Sequence, residues 1–140
     1  MKKCIVSFAS FGRENYPAAQ LKLIRSCIEA GWDGEYIMQT TDGYCDEYLG
    51  VKIEQGFYPQ SKKWKLINNH AEIPWGFKPE IVQVARERGF EQVIWCDSTV
   101  RMKTNPTDLL ASAKERGIVA FHNLGHPFRK YVSDVCLRKL

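Results

Sequence analysis

The stretch Phe77–Leu110, F-K-P-E-I-V-Q-V-A-R-E-R-G-F-E-Q-V-I-W-C-D-S-T-V-R-M-K-T-N-P-T-D-L-L, decides the fold class. Ile81, Val82, Val84 and Ala85 place apolar residues on one side at helical spacing. Pro79 suits the first turn of that helix, where its missing N–H is not needed, and Gly89 suits the stop. Val93-Ile94-Trp95-Cys96 is a short apolar run, as expected of a strand covered on both faces. Asp97 follows at once. A carboxylate at the carboxyl end of a buried strand lies where open α/β sheets bind their ligands.

Towards the N-terminus the same alternation continues. Lys3–Ala9 reads as a buried first strand near the sheet centre, and Ser10-Phe11-Gly12-Arg13 as the turn at its carboxyl end. Pro17–Ala30 reads as a helix, with Leu21, Ile24 and Ile28 at helical spacing and Gly31 as its stop. Glu35–Thr40 is the second strand, followed by Thr41-Asp42-Gly43. Asp46–Leu49 suggests a short helical turn, and Val51–Glu54, alternating apolar and polar, a half-exposed strand. The aromatic-rich segment that holds Phe57, Tyr58, Trp64 and Trp75 either packs a long loop or stacks on a base or sugar. Within it, Lys62–Asn69 has the spacing of a helix.

Beyond Asp97, Thr107–Arg116 predicts a helix with Leu109 and Leu110 inward and Gly117 as its stop. Ile118–Phe121 predicts a further buried strand, and Tyr131–Leu140 a last helix. Strands and helices taken in this order predict an α/β fold, a mostly parallel sheet with helices on both faces.

Composition sets the outer bounds. A chain of 140 residues, 44% hydrophobic and 26% charged, is expected to form one globular α/β domain over residues 1–140. The net charge of +4 is mild and spread along the chain, which suits an anionic small ligand. The longest basic cluster, Lys62-Lys63-Trp64-Lys65, is too short to indicate nucleic acid. The five cysteines are odd in number and lack a C-x-x-C pair, which reads as reduced thiols in a cytoplasmic protein. No stretch approaches the roughly 20 apolar residues of a membrane span. Met1-Lys2-Lys3 and the apolar run after it faintly mimic a signal peptide, but a first strand accounts for them better.

The pattern F-K-P, a helix, V-I-W-C-D-S-T and then N-P-T-D-L-L resembles the nucleotide-sugar glycosyltransferases of the GT-A type, over roughly the first 110 residues. The resemblance implies a Rossmann-like donor-binding half, with the acceptor-binding part short or absent. It implies a lysine near the start of this helix that reaches the donor. It also implies a D-x-D motif at the strand end, holding a divalent metal (Mn²⁺ or Mg²⁺) on the donor pyrophosphate. Here that position reads Asp97-Ser98-Thr99, so the second acid is absent. The turn with Ser10 and Arg13 stands where the donor's nucleoside first meets such proteins. A histidine after the D-x-D completes the metal site in some of these families, and His122 or His126 could play that part.

Read from the residues alone, each candidate has a plainer alternative. Asp97 is a metal or ligand carboxylate, with the hydroxyl of Thr99 or Ser98 as a further metal ligand, or else caps the turn with Ser98 and Thr99. Lys78 is a point charge for phosphate at a helix N-terminus, or a solvated lysine. Asp42 accepts hydrogen bonds from a ribose or base, or makes an Asp-Gly turn or helix cap. Ser10 and Arg13 offer donors to a ligand, or simply end a strand. His122 and His126 form H-x₃-H, but Gly125 and Pro127 indicate a loop, in which that spacing has no metal-binding meaning. His70 has no evident partner. No nucleophile-and-base motif such as G-x-S-x-G or H-E-x-x-H is present.

The expected activity is therefore metal-assisted transfer of a sugar from a nucleotide-diphosphate donor to an acceptor that the sequence does not name. Two other classes are open: a non-catalytic binding or assembly module with the same fold, and a different nucleotide-binding α/β enzyme. A second copy of the chain could complete the acceptor site.

Overall fold

The computed structural model describes residues 1–9, 15–40, 45–55 and 77–117. The elements in order are β1 (Lys3–Ala9), α1 (Tyr16–Glu29), β2 (Glu35–Thr40), β3 (Glu47–Tyr48), β4 (Val51–Glu54), α2 (Phe77–Glu87), β5 (Gln92–Trp95) and α3 (Thr107–Arg116). The five strands form one mixed sheet in the order β3-β4-β2-β1-β5. β1 is flanked by β2 and β5, both parallel to it, and β4 is parallel to β2; only β3 runs antiparallel. Residues Met1–Leu110 form one compact unit, and α3 runs past its end into a second that opens at Ala111. The expected strand at Ile118–Phe121, the last helix at Tyr131–Leu140 and the helix at Lys62–Asn69 lie outside the described residues.

Strand alternation divides the core in two. Ile5, Met38 and Ile53 face one side of the sheet, with Leu23, Ile24 and Cys27 of α1 and Leu110 of α3 packed on them. Cys4, Val6 and Ile37 face the other, under Ile81 and Ala85 of α2 and Phe90. The α/β class and the mostly parallel sheet thus follow the sequence reading.

Four local readings need correction. Asp46–Leu49 holds the strand β3, not a helical turn. Leu49 and Gly50 both have positive φ (50° and 78°), the backbone of a two-residue hairpin turn, and this returns the chain into β4. The buried stripe of α1 is Gln20, Leu23, Ile24 and Cys27, while Ile28 is exposed. On α2, Ile81 and Ala85 are buried, but Val82, a hundred degrees around the helix, is exposed. Last, β5 is an edge strand among the described residues, and all four of its residues are only partly buried.

Both sheet-covering helices stop in the same way. At α1, Gly31 N–H donates to Ile28 O and Trp32 N–H to Cys27 O; at α2, Gly89 N–H donates to Arg86 O and Phe90 N–H to Ala85 O. Each is a Schellman motif closed by a glycine of positive φ (77° and 80°) and followed by an aromatic residue that drops into the core. Lys2 and Lys3 point to opposite sides of β1 and cover these aromatics, with Nζ 4.5 Å from the Phe90 ring centre and 4.8 Å from that of Trp32.

A polar cross-link ties the end of α2 to β4. The Arg88 guanidinium grips both carboxylate oxygens of Glu54, and Gln39 Nε2 donates to Glu54 Oε2 at 2.8 Å. Burial pushes the Glu54 carboxyl upward, but Arg88, Gln39 and Lys52 outweigh it and hold it below its ordinary value. The stabilisation is therefore complete above the unfolded carboxyl value and is lost as pH falls through the depressed folded one. Because Arg88 is partly exposed, Glu54→Gln is expected to cost only about 1 kcal/mol near neutral pH. That difference should shrink steadily as urea titrations are carried out at lower and lower pH, below the ordinary carboxyl range.

Candidate functional site

The site grows from the order in which the chain builds its sheet. β2 and β4 are laid on one side of β1, and α2 then carries the chain back so that β5 joins the other side. The strand order reverses at the β1–β5 boundary, and open parallel sheets bind ligands beyond the carboxyl ends at such a point. β5 ends there at Trp95, and Cys96 N–H extends the ladder by one bond to Val6 O at 3.0 Å. Asp97 is the next residue.

Two periodicities bring the functional side chains together. Trp95 and Asp97 are two apart, so both stand on the α2 side of the sheet. Lys78 is one turn before the buried Ile81, so it overhangs that same side from the first turn of α2. Lys78 Nζ lies 2.9 Å from Asp97 Oδ1. It also lies 5.3 Å from the centre of the Trp95 ring, and Trp95 Nε1 donates to the same Oδ1 at 3.1 Å. The indole thus supports the ammonium with its face and orients the carboxylate with its N–H. The side chains are 32% exposed at Lys78 and 56% at Asp97, so the pair can be reached from solvent.

The loop after Asp97 is tied down by its own side chains. Val100 N–H closes a turn on the Asp97 carbonyl, while the Asp97 carboxylate is turned to Lys78 and Trp95 rather than capping that turn. Arg101 donates to Ser98 O and Val100 O, and Ser26 Oγ accepts from Met102 N–H. Asn105 donates to Gly31 O and accepts from the N–H and hydroxyl of Thr107, which starts α3. The N-P-T segment is therefore structural, because it anchors the Asp97 loop to the end of α1.

Of the residues expected at the site, Lys78 and Asp97 meet. Ser98 is buried, and Thr99 is exposed. Ser10, Arg13, Asp42, His70, His122 and His126 lie outside the described residues, as does the aromatic-rich segment. Sequence reasoning overlooks Trp95 and Arg101 as parts of the site; the two-residue spacing of Trp95 from Asp97 is the available signal. Cys4, Cys27 and Cys96 are free and buried, and burial pushes their thiols up to about 12, 11 and 12. They stay protonated near neutral pH and serve as apolar filling, not as nucleophiles.

For a divalent cation, the described residues bring one carboxylate to this site, that of Asp97. Among the described residues no three acidic, histidine or cysteine groups converge. Asp97 is a single carboxylate whose Oδ1 already accepts from an ammonium and an indole. A metal ligated by its other oxygen would stand close enough to the Lys78 ammonium to be repelled, by on the order of a few kcal/mol at the effective dielectric of a protein surface.

No protein-family model, curated protein or solved structure matches the chain. Among the described residues no helix is long and apolar enough to cross a membrane.

Proposed function

We propose that the chain is a GT-A-like glycosyltransferase that takes a nucleotide-diphosphate sugar as donor. The observation that carries the reading is the Lys78–Asp97 pair, which joins the first turn of α2 to the end of β5 where the strand order reverses. The positive end of the α2 dipole and the Lys78 ammonium both favour an anion, and the donor's diphosphate is that anion. The nucleoside lies over the carboxyl ends of β1 and β2. The acceptor hydroxyl oxygen bonds to the anomeric carbon as the bond from that carbon to the phosphate oxygen breaks. The diphosphate keeps the electron pair, and the hydroxyl proton leaves to a base. Stabilising the leaving diphosphate is the main electrostatic requirement, and Lys78 supplies a charge for it.

A second reading rests on Thr99, a neutral residue at the position of the second acid: a non-catalytic module that keeps the fold and binds without transferring. Thermal unfolding with UDP-, GDP- and CDP-sugars, each with and without Mn²⁺, tests the proposal. One donor class should raise Tm and thereby name the nucleotide, and release of sugar from that donor separates transferase from module. A folded sample that responds to no donor would count against both forms of nucleotide-sugar binding.

A further inference from the structure

We infer that the positive charge serving the diphosphate at this site is the Lys78 ammonium itself, in place of a divalent metal, with Asp97 as its exchangeable counterion. The inference rests on the donor-binding reading above and states how the anion is held. A D-x-D pair must present free oxygens to a metal. Here the one acid has one oxygen already engaged: Asp97 Oδ1 accepts from Lys78 at 2.9 Å and from Trp95 Nε1 at 3.1 Å. The second acidic position is Thr99, neutral and exposed.

The position of the ammonium is built as well. It lies against the Trp95 ring, whose face attracts a cation, and the ring is itself fastened by the Nε1 bond. Charge placement supplies the remaining argument. A lysine on the first turn of a helix opposes the helix dipole, and the Asp97 carboxylate offsets that conflict. A diphosphate carries more negative charge than one carboxylate and so binds the ammonium more strongly. It therefore displaces Asp97 from Lys78. The released carboxylate, still held by Trp95 Nε1, is left to accept from hydroxyl groups of the sugar or ribose. The ligand class is a nucleoside diphosphate bound without a divalent cation.

Isothermal titration of the whole chain with UDP, GDP and CDP, in EDTA and again in Mn²⁺, reads this directly. The nucleotide that binds should do so with the same Kd in both buffers. Lys78→Met should weaken it by about 10- to 100-fold, and Lys78→Arg should restore most of the loss. Asp97→Asn should tighten it by about twofold to fivefold, because the carboxylate competes for Lys78. A metal-ligand role for Asp97 requires the opposite sign. Both side chains are partly exposed, so the variants are expected to melt close to the parent. Binding only in Mn²⁺, weaker binding by Asp97→Asn, or unchanged binding by Lys78→Met would each overturn the inference and leave the donor-binding reading in place. A folded parent that binds neither a nucleoside diphosphate nor its sugar conjugate would overturn both.

Discussion

Ile81→Ala is expected to lower stability by about 3 kcal/mol in urea unfolding, and Val82→Ala by less than about 0.5 kcal/mol. The two residues are neighbours in sequence and similar in chemistry, so the contrast isolates burial. Ile81 is fully buried against Cys4, Val6, Ile37, Ala85 and Phe90, whereas Val82 is 38% exposed. Removing three carbons from Ile81 loses their transfer energy and leaves a cavity between α2 and a sheet that is pinned by its own ladder, so the gap cannot close. The loss also reaches the site, since Lys78 stands one turn above Ile81 on the same helix face. Ile81→Ala should therefore weaken anion binding at Lys78, while Val82→Ala leaves it unchanged. Equal destabilisation by the two variants would mean that α2 does not pack on the sheet through this face.

Much of this is legible in the sequence because the relevant signals are local. A strand followed by a carboxylate, and a Lys-Pro pair opening a helix, are readable from residue types. The place of Asp97 beside β1 is not, because it depends on strand order, and nothing within Val93–Cys96 states which strand will be its neighbour. Helix faces are half readable for a similar reason. An apolar cluster such as Ile81, Val82, Val84 and Ala85 spans more than one face, and the sheet selects the residues that point to it. On α1 it selects Gln20 as well, a polar residue whose Nε2 finds the Gln39 carbonyl, and no hydrophobic pattern would include it. The Leu49-Gly50 hairpin turn is hidden because leucine is a poor residue for positive φ.

The repeated glycine-aromatic pairs, Gly31-Trp32 and Gly89-Phe90, carry more information than their helix-stop role suggests. Each sets an aromatic under the start of the next strand, and the two lysines of Lys2-Lys3 then lie one on each ring because consecutive strand residues face opposite ways. Lys3 also pairs with Asp33 at 2.6 Å and donates to Thr107 Oγ1 at 3.2 Å. In the fold this basic pair forms a double lid over the amino-terminal edge of the sheet.

Gly34→Ala is the second large expected effect, a loss of about 3 kcal/mol and roughly 10 °C in Tm. A methyl group here would stand 2.3 Å and 2.7 Å from two carbons of the Trp32 ring and 2.9 Å from the Lys3 carbonyl oxygen. Neither neighbour can give way easily. The ring is nearly buried, its Nε1 donates to Glu35 O at 3.3 Å, and Lys3 Nζ covers its face. The carbonyl belongs to β1, held between two parallel partners. Gly89→Ala provides the comparison, because it separates space from backbone angle. Gly89 has φ of 80° with nothing within 4 Å of an added methyl, so alanine there costs only the left-handed backbone strain, about 1 kcal/mol. If Gly34→Ala proved no worse than Gly89→Ala, Trp32 would have another position available, and the close packing of this corner of the sheet would not be what holds β1 and β2 in register.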